Sequence, residues 1–298
     1  FELAVSGGGA HDLVRRAVSL MPYGMTVFAT ASGSAETDTT TWVESPKGIP
    51  LEHPNLQIVI GPTVERSLLD VLAAPLPGLQ DAAGTFASPV DTAASDLISA
   101  LGLQTLLGAS RDSGGPQAQE LDARARGALA ALMLAQHDDG GWSWTGRGGA
   151  SDRYSSARVV WAVSLARKAG YVVAENAFQL AIAFLTREAA DLENTDFESR
   201  AIVLHALATS GKGEFAVANH LHRERASLSP AALAYLALAL VEMDRRSMAE
   251  EALAILARRN LDGSASRRVA EQRSLPWSHA DAELRALYAL AAQAVMPK

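Results

Sequence analysis

The sequence predicts a mainly α-helical protein, an α/α toroid of helix pairs preceded by a small β segment. Hydrophobic periodicity changes from alternating to helical near residue 65. Alanine and leucine dominate the apolar residues while aromatics make up only 6%, a mixture that suits closely packed helices. We therefore divide the chain into a β-strand segment, 1–65, which forms part of a β-sandwich, and a helical α/α-toroid domain, 66–298.

The first segment contains short alternating runs rich in β-branched residues. They predict four strands, at 14–20, 25–30, 39–43 and 56–60. Glycine- and proline-rich turn signals, such as Gly7-Gly8-Gly9, separate them. Four short strands are too few for an independent sandwich, so we expect the rest of this β-domain to lie outside the chain.

Helical periodicity continues through the rest of the sequence. The predicted helices are 67–74, 90–107, 117–136, 152–169, 174–190, 196–210, 214–224, 229–243, 247–260 and 279–295. Ser151-Asp152, Thr195-Asp196 and Ser229 are expected to supply N-cap side chains, with Pro230 in a first turn. Expected C-terminal stops are Gly108, Gly170 and Gly211.

Two kinds of helix alternate along this domain. The helices at 152, 196, 229 and 279 are apolar on nearly all faces, whereas those at 117, 174, 214 and 247 carry charges on one side. An all-round apolar helix must be buried, and an amphipathic one covers it from outside. The alternation recurs roughly every 35–50 residues, which is typical of helical-pair repeats. It predicts a toroid, with an open superhelical array as the alternative.

Composition excludes several classes of function. The formal charge is −7 and no long basic run exists, so nucleic acid is not expected as a partner. The chain has no cysteine, which excludes thiolate nucleophiles and zinc–thiolate sites. No apolar run reaches the ~20 residues that span a bilayer, so we predict no membrane insertion by this segment. The start has no initiator Met and no signal-peptide features, and we expect a piece of a longer protein.

The most distinctive motif is a glycine–tryptophan turn at 136–144, Gln-His-Asp-Asp-Gly-Gly-Trp-Ser-Trp. Gly140 and Gly141 permit a backbone turn that other residues resist. Trp142 is expected to fold back as an apolar plug between adjacent helix pairs. The next inner helix opens at Ser151-Asp152.

Such a turn resembles the turns of two toroid families. One comprises the terpene cyclases and prenyltransferases, and the other is the thioester domain of the α2-macroglobulin and complement family. The sequence is similar to the bacterial macroglobulin version in three features. These are the stretch 136–171, the β segment that ends at 57–62 before the toroid, and Trp277 followed by a helix. This resemblance implies an exported protein (periplasmic, cell-surface or secreted) of the protease-trapping or inhibitor type. It implies proteases and other domains of the parent protein as partners.

The resemblance also shows what is missing from this sequence. The family's reactive motif, Pro-Tyr-Gly-Cys-x-Glu-Gln, opens an inner helix, and its Cys and Gln side chains form an internal thioester. The matching segment here is 89–95, in which Thr92 replaces the Cys and Ser95 the Gln. Pro22-Tyr23-Gly24-Met25 is closer by letter but lies in strand-like sequence. We therefore predict a degenerate thioester, no enzyme activity and no cofactor, and assign no catalytic, cofactor-binding or metal-binding residue.

Other polar residues receive structural interpretations. Asp138-Asp139 supplies turn chemistry, and His220 and His222 do not share a helix face. His205 is interpreted as a core or cavity-lining histidine with one hydrogen bond rather than a catalytic base, and His137 as a C-terminal cap. A serine–histidine–acid arrangement stays open, although no Gly-x-Ser-x-Gly elbow is present.

Three hypotheses follow for the function. The first is a non-enzymatic thioester-like domain that acts by packing and conformational change; the others are a toroid enzyme of the terpene cyclase or glycosidase type and a helical interaction scaffold. Carboxylates clustered on the inner helices would favour the enzyme, and a filled or apolar centre the first hypothesis. Because only about five helix pairs are counted where this type of ring needs six, we expect an open or irregular ring, with the helix at 281–295 partly uncovered.

Overall fold

The structure is a computed structural model that describes residues 2–8, 10–15, 29–31, 33, 38–44, 48, 56, 58, 89–109, 116–259 and 281–297. The chain forms two compact units, Phe1–Gly84 and Thr85–Lys298. The predicted boundary between residues 65 and 66 lies outside the described residues and stays a prediction.

The first unit contains an antiparallel hairpin of β1 (Glu2–Gly7) and β2 (Ala10–Arg15). Gly8 turns the chain between them with φ +60°, as the glycine run predicted. The residues of β1 were not predicted as a strand, and the predicted strand at 39–43 is wrong, because residues 38–44 form no strand. Threonine-rich alternation gives β propensity, but a strand also needs a hydrogen-bonded neighbour.

The second unit is helical in all of its described parts. Its helices are α1 (Pro89–Ala109), α2 (Pro116–Ala135), α3 (Arg153–Lys168), α4 (Glu175–Ala190), α5 (Phe197–Thr209), α6 (Phe215–Arg223), α7 (Pro230–Glu242), α8 (Arg246–Leu256) and α9 (Asp281–Val295), with a 3-10 turn at Gly146–Gly148. These confirm the predicted helices within two residues, except that α8 ends four residues early. The predicted helix at 67–74 lies outside the described residues.

Side-chain caps set three of the inner helix starts. Asp152 accepts from the backbone of the residues two and three positions on, Asp196 accepts from Ser199 N, and Ser229 accepts from Ala232 N. Each satisfies N–H groups that have no partner within the helix. Gly170 and Gly211 have positive φ just past helix ends, as predicted. Gly108, in contrast, lies inside α1, so its predicted role as a stop is wrong.

The helices form two layers, as the alternation predicted. The inner helices α1, α3, α5, α7 and α9 pack in series, each on the next, while α2, α4, α6 and α8 each pack against the two inner helices they connect. The mainly α fold class of paired helices is thereby confirmed. Of the helices in the described ranges, none is apolar over a length that could cross a membrane.

Helix α7 lies at the centre of the main hydrophobic core. Residues 230–237 of this helix are all buried, and Leu233, Leu236 and Leu240 have no exposed surface. They pack with side chains from α5, α6, α8 and α9. The alanines between these leucines let neighbouring helices approach closely, which explains why this helix is apolar on all faces.

Ion pairs also join inner helices that are not adjacent in the series. Arg158 of α3 pairs with Glu283 of α9, and Lys168 of α3 pairs with Glu242 of α7 at 2.6 Å. On α9, Leu290 is 46% exposed. Whether the ring closes depends on residues outside the described part, so the open ring stays a prediction.

Candidate functional site

The glycine–tryptophan turn is built around two close backbone approaches. Gly140 has φ +91°, and a Cβ there would overlap the Leu180 carbonyl on α4. A Cβ on Gly141 would lie 2.6 Å from Ser151 Cβ and 2.9 Å from the Phe184 ring. Only glycine therefore fits at these positions, as the sequence predicted.

Trp142 fills the space between the helix pairs, as predicted, and is 1% exposed. Its indole Nε1 donates to Leu132 O at 2.7 Å, and its backbone N donates to Ser156 Oγ at 2.9 Å. Its carbonyl accepts from Asp152 N at 2.8 Å. The side chain thus satisfies a carbonyl in the last turn of α2, while its backbone fixes the start of α3.

A serine, a histidine and a carboxylate meet in this turn. Ser151 Oγ lies 3.0 Å from His137 Nδ1 and 2.8 Å from Asp139 Oδ1. His137 Nε2 lies 3.1 Å from Gly146 O, and this carbonyl can only accept. The serine therefore lies between histidine and acid, whereas a nucleophilic serine needs the histidine between itself and the acid. The predicted helix-capping role of His137 is wrong, because its ring contacts the following loop.

Asp139 confirms the turn chemistry predicted for Asp138-Asp139. Burial raises the pKa of Asp139, but hydrogen bonds from Gly141 N and Ser151 outweigh it and hold that pKa below its usual value. The ionised carboxylate therefore stabilises the turn, and Asp138 is exposed beside it.

The start of α1, where the thioester motif would lie, adjoins this turn. A Cβ on Gly146 would be 3.6 Å from Pro89 Cγ. Thr92, at the Cys position, is exposed, and Ser95, at the Gln position, is half-buried. Ser95 Oγ donates to Asp91 O at 2.7 Å, so the two matched side chains do not bond to each other.

Arg158 connects this helix start to α9. Its Nη2 donates to Ser95 Oγ at 3.1 Å, and its Nη1 pairs with Glu283 Oε1 at 3.3 Å. Neither partner is deeply buried, since the Arg158 and Glu283 side chains are 38% and 33% exposed. One guanidinium therefore contacts both the first and the last described helix of the unit.

Carboxylates surround this arginine. Burial raises the pKa of Asp91; Arg158 opposes that rise, while Asp152 and Glu283 add to it. Burial likewise raises the pKa of the Tyr235 hydroxyl, again with Glu283 adding to the effect and Arg158 opposing it. The region is thus rich in acidic groups, with Arg158 as the cation that offsets them.

Further polar contacts join the starts of neighbouring inner helices. Tyr154 of α3 and Ser199 of α5 are hydrogen-bonded at 2.8 Å, and Ser229 of α7 donates to the buried carboxylate of Glu198 on α5. Carboxylates near helix N-termini are also favoured by the helix dipole.

Farther along the inner helices, three rings pack in a row. Trp161 of α3 contacts His205 of α5 edge-on with ring centroids 4.9 Å apart, and His205 lies 5.4 Å from Tyr235 of α7. His205 is 4% exposed, which confirms a core histidine. Its predicted hydrogen bond is absent from the described part of the chain, because the ring contacts the rings of Trp161 and Tyr235 instead. Burial lowers the pKa of His205 to about 3.

His220 and His222 do not form a metal site with each other. His220 contacts Asn194 O at 3.3 Å, whereas His222 lies 3.4 Å from Glu251, so the two rings point to different partners. No group of three or more ligating side chains is arranged for a metal within the described ranges.

Sequence reasoning missed Arg158, Asp91 and Glu283. A usable signal existed for Arg158, because it is a charged residue within a helix predicted to be buried on nearly all faces. Its partners lie 63 and 125 residues away in the chain, and no local pattern points to them.

Neither a family profile nor a curated protein matches the chain. Among solved structures, it is similar to native alpha-2-macroglobulin from Escherichia coli, spanning domain MG7 to the C-terminus, with 22% identity, a TM-score of 0.49, and coverage of 78% of this chain and 39% of that one. Salmonella alpha-2-macroglobulin reacted with methylamine gives 19% identity, a TM-score of 0.48, and coverage of 76% and 16%. The chain therefore spans well under half the length of either protein. Both structures to which it is similar are bacterial alpha-2-macroglobulins.

Proposed function

We propose that this chain is a thioester-type helical domain of an exported bacterial macroglobulin-like protein, and that it works without covalent capture. The observation that carries the proposal is the start of α1, where the motif of the resembled family would lie. Thr92 is exposed there, and Ser95 bonds to Asp91 O and Arg158. A cysteine is required for a thioester, and the sequence has none.

The domain would contribute to a protease-trapping protein by packing and conformational change. Its inner helices are joined at their starts by polar contacts between side chains, so that a change at one helix reaches its neighbours. The partners of this proposal are proteases and the other domains of the parent protein.

The toroid-enzyme alternative requires inner-helix carboxylates that are available for proton transfer. Inner-helix carboxylates are present, but Glu283 is paired with Arg158 and Glu198 accepts from Ser229. Arg158 also opposes the rise that burial causes in the pKa of Asp91. This arrangement favours a structural ion cluster over a general acid.

The covalent part of the proposal is tested by mass spectrometry. The 298-residue chain is incubated with methylamine, and separately with an active protease, and intact masses are recorded. We expect no methylamine adduct and no covalent protease complex. An adduct at a single glutamine, or a protease linkage that survives denaturation, would overturn the proposal.

The trapping part is tested with the parent protein. After protease treatment, we expect a shift in native-gel mobility, together with protection of a large protein substrate but not of a small peptide substrate. Equal hydrolysis of both substrates by the bound protease, with no mobility shift, would contradict trapping.

A further inference from the structure

We propose that Arg158 is a releasable, salt-sensitive clamp that joins α1 to α9. This goes beyond the proposed function, because it concerns how the helical unit is held together whatever the unit does. The proposal rests on geometry, because two different nitrogens of the Arg158 guanidinium contact Ser95 on α1 and Glu283 on α9. These are the first and last described helices of the unit, and they reach each other through α3.

The clamp is suited to release rather than to permanent fixation. Its side chains are about one-third exposed, and an ion pair open to water is weak and screened by salt. Arg158 Nε is buried and has no hydrogen-bond partner in the part of the chain that is described. The arginine therefore holds both helices through the ends of its guanidinium alone.

Loss of the clamp would do more than remove an attraction. Asp91 on α1, Glu283 on α9 and the α3 cap Asp152 lie near one another, since each acidic neighbour raises the pKa of Asp91. Arg158 is the cation that opposes this effect. Without it, the mutual repulsion of these carboxylates opposes the approach of α1 and α9.

A matched control lies one turn earlier on the same helix. Arg153 pairs with Glu188 of the outer helix α4 at 3.1 Å, with side chains 32% and 22% exposed. This pair resembles the Arg158 pair in length and exposure, but it joins α3 only to its immediate outer neighbour. Arg153→Gln therefore measures what loss of an ordinary ion pair does.

The experiment is amide hydrogen exchange on the full chain, followed by peptide mapping of every helix. Arg158→Gln is expected to accelerate exchange in both α1 and α9 by about fivefold or more, and Arg153→Gln in neither. High salt should accelerate the same two helices in the wild type and add little in Arg158→Gln. In the double variant Arg158→Gln/Glu283→Gln, removal of one repelling charge should restore part of the protection of α9.

Three results would overturn the clamp. They are unchanged exchange in α9 when Arg158 is replaced, the same pattern in both arginine variants, or exchange in wild-type α1 and α9 that is insensitive to salt. If Arg158→Gln fails to fold, Glu283→Gln opens the α9 side alone while it leaves the Ser95 contact in place, so exchange should accelerate in α9 and not in α1. Unchanged exchange in α9 of Glu283→Gln would then contradict the proposal.

Discussion

The glycine–tryptophan turn and the start of α1 lie close together, yet they are held by different forces. In the turn, Trp142 is almost fully buried and its polar atoms bond to backbone and hydroxyl groups at 2.7–2.9 Å. At the start of α1, Ser95 accepts a hydrogen bond of 3.1 Å from Arg158, whose 3.3 Å ion pair is with Glu283 of α9 and whose side chain is 38% exposed. A rigid turn thus supports a helix start that can be released.

The difference has a physical basis. Buried packing and satisfied backbone groups are lost only at a large cost in free energy, because a cavity or an unpaired polar group is left behind. A half-exposed ion pair can exchange its partners for water at little cost. Substitutions in the turn should therefore lower global stability, and substitutions at Arg158 should change local opening.

The largest expected effect is that of Trp142→Ala. Removing this side chain leaves a cavity and an unpaired Leu132 carbonyl, so we expect a loss of about 3–5 kcal/mol in the free energy of unfolding. Chemical denaturation followed by circular dichroism measures it. The matched control is Trp144→Ala in the same turn, because Trp144 is 43% exposed and should lose less than about 1 kcal/mol.

Equal losses of unfolding free energy in the two tryptophan variants would contradict the special role of Trp142. They would mean that the turn is stabilised by the bulk of its aromatic residues rather than by burial of one of them. A loss confined to Trp144→Ala would instead indicate a structural role for the exposed ring.

A second, somewhat smaller effect is expected for Gly140→Ala. The positive φ costs roughly 1–2 kcal/mol for a residue with a Cβ, and overlap with the Leu180 carbonyl adds about 1–3 kcal/mol. Gly170 separates the two contributions, since it has φ +90° but no atom within 4 Å of a built Cβ. Thermal melts of both variants should show a smaller shift for Gly170→Ala, and identical shifts would show that the approach to α4 contributes nothing.

The contrast between the turn and the start of α1 also explains which features could be predicted from the sequence. The turn and the helix caps were predictable because glycine, proline, tryptophan and capping side chains act within a few residues of their own position. His205 was assigned to the core from its apolar neighbours, but its lack of a hydrogen bond depends on Trp161 and Tyr235, which come from two other helices. Arg158 itself is marked in the sequence as a charge on a largely apolar helix, but its partners Ser95 and Glu283 are brought to it by the packing of distant helices, so no local pattern could reveal them.

The smallest of the three effects is a pH dependence that originates at His205. Its pKa is about 3 in the folded chain, against an ordinary value of 6.5. A folded-state pKa that is depressed means that the unfolded chain binds the proton more readily. The contribution of His205 to stability is therefore complete above pH 6.5 and is lost as the pH falls towards 3. By linkage, lowering the pH from neutrality to about 5 should cost about 2 kcal/mol through this residue.

His205→Phe isolates that contribution, because a phenyl ring can keep the contacts with Trp161 and Tyr235 while it binds no proton. Urea denaturation at neutral pH and at about pH 5 should show that the variant loses about 2 kcal/mol less on acidification than the wild type. An acid-induced loss that is the same in His205→Phe and in the wild type would show that His205 is hydrated or paired in solution. The row of rings would then be a region that opens, like the start of α1, and the turn alone would remain as the rigid part of the site.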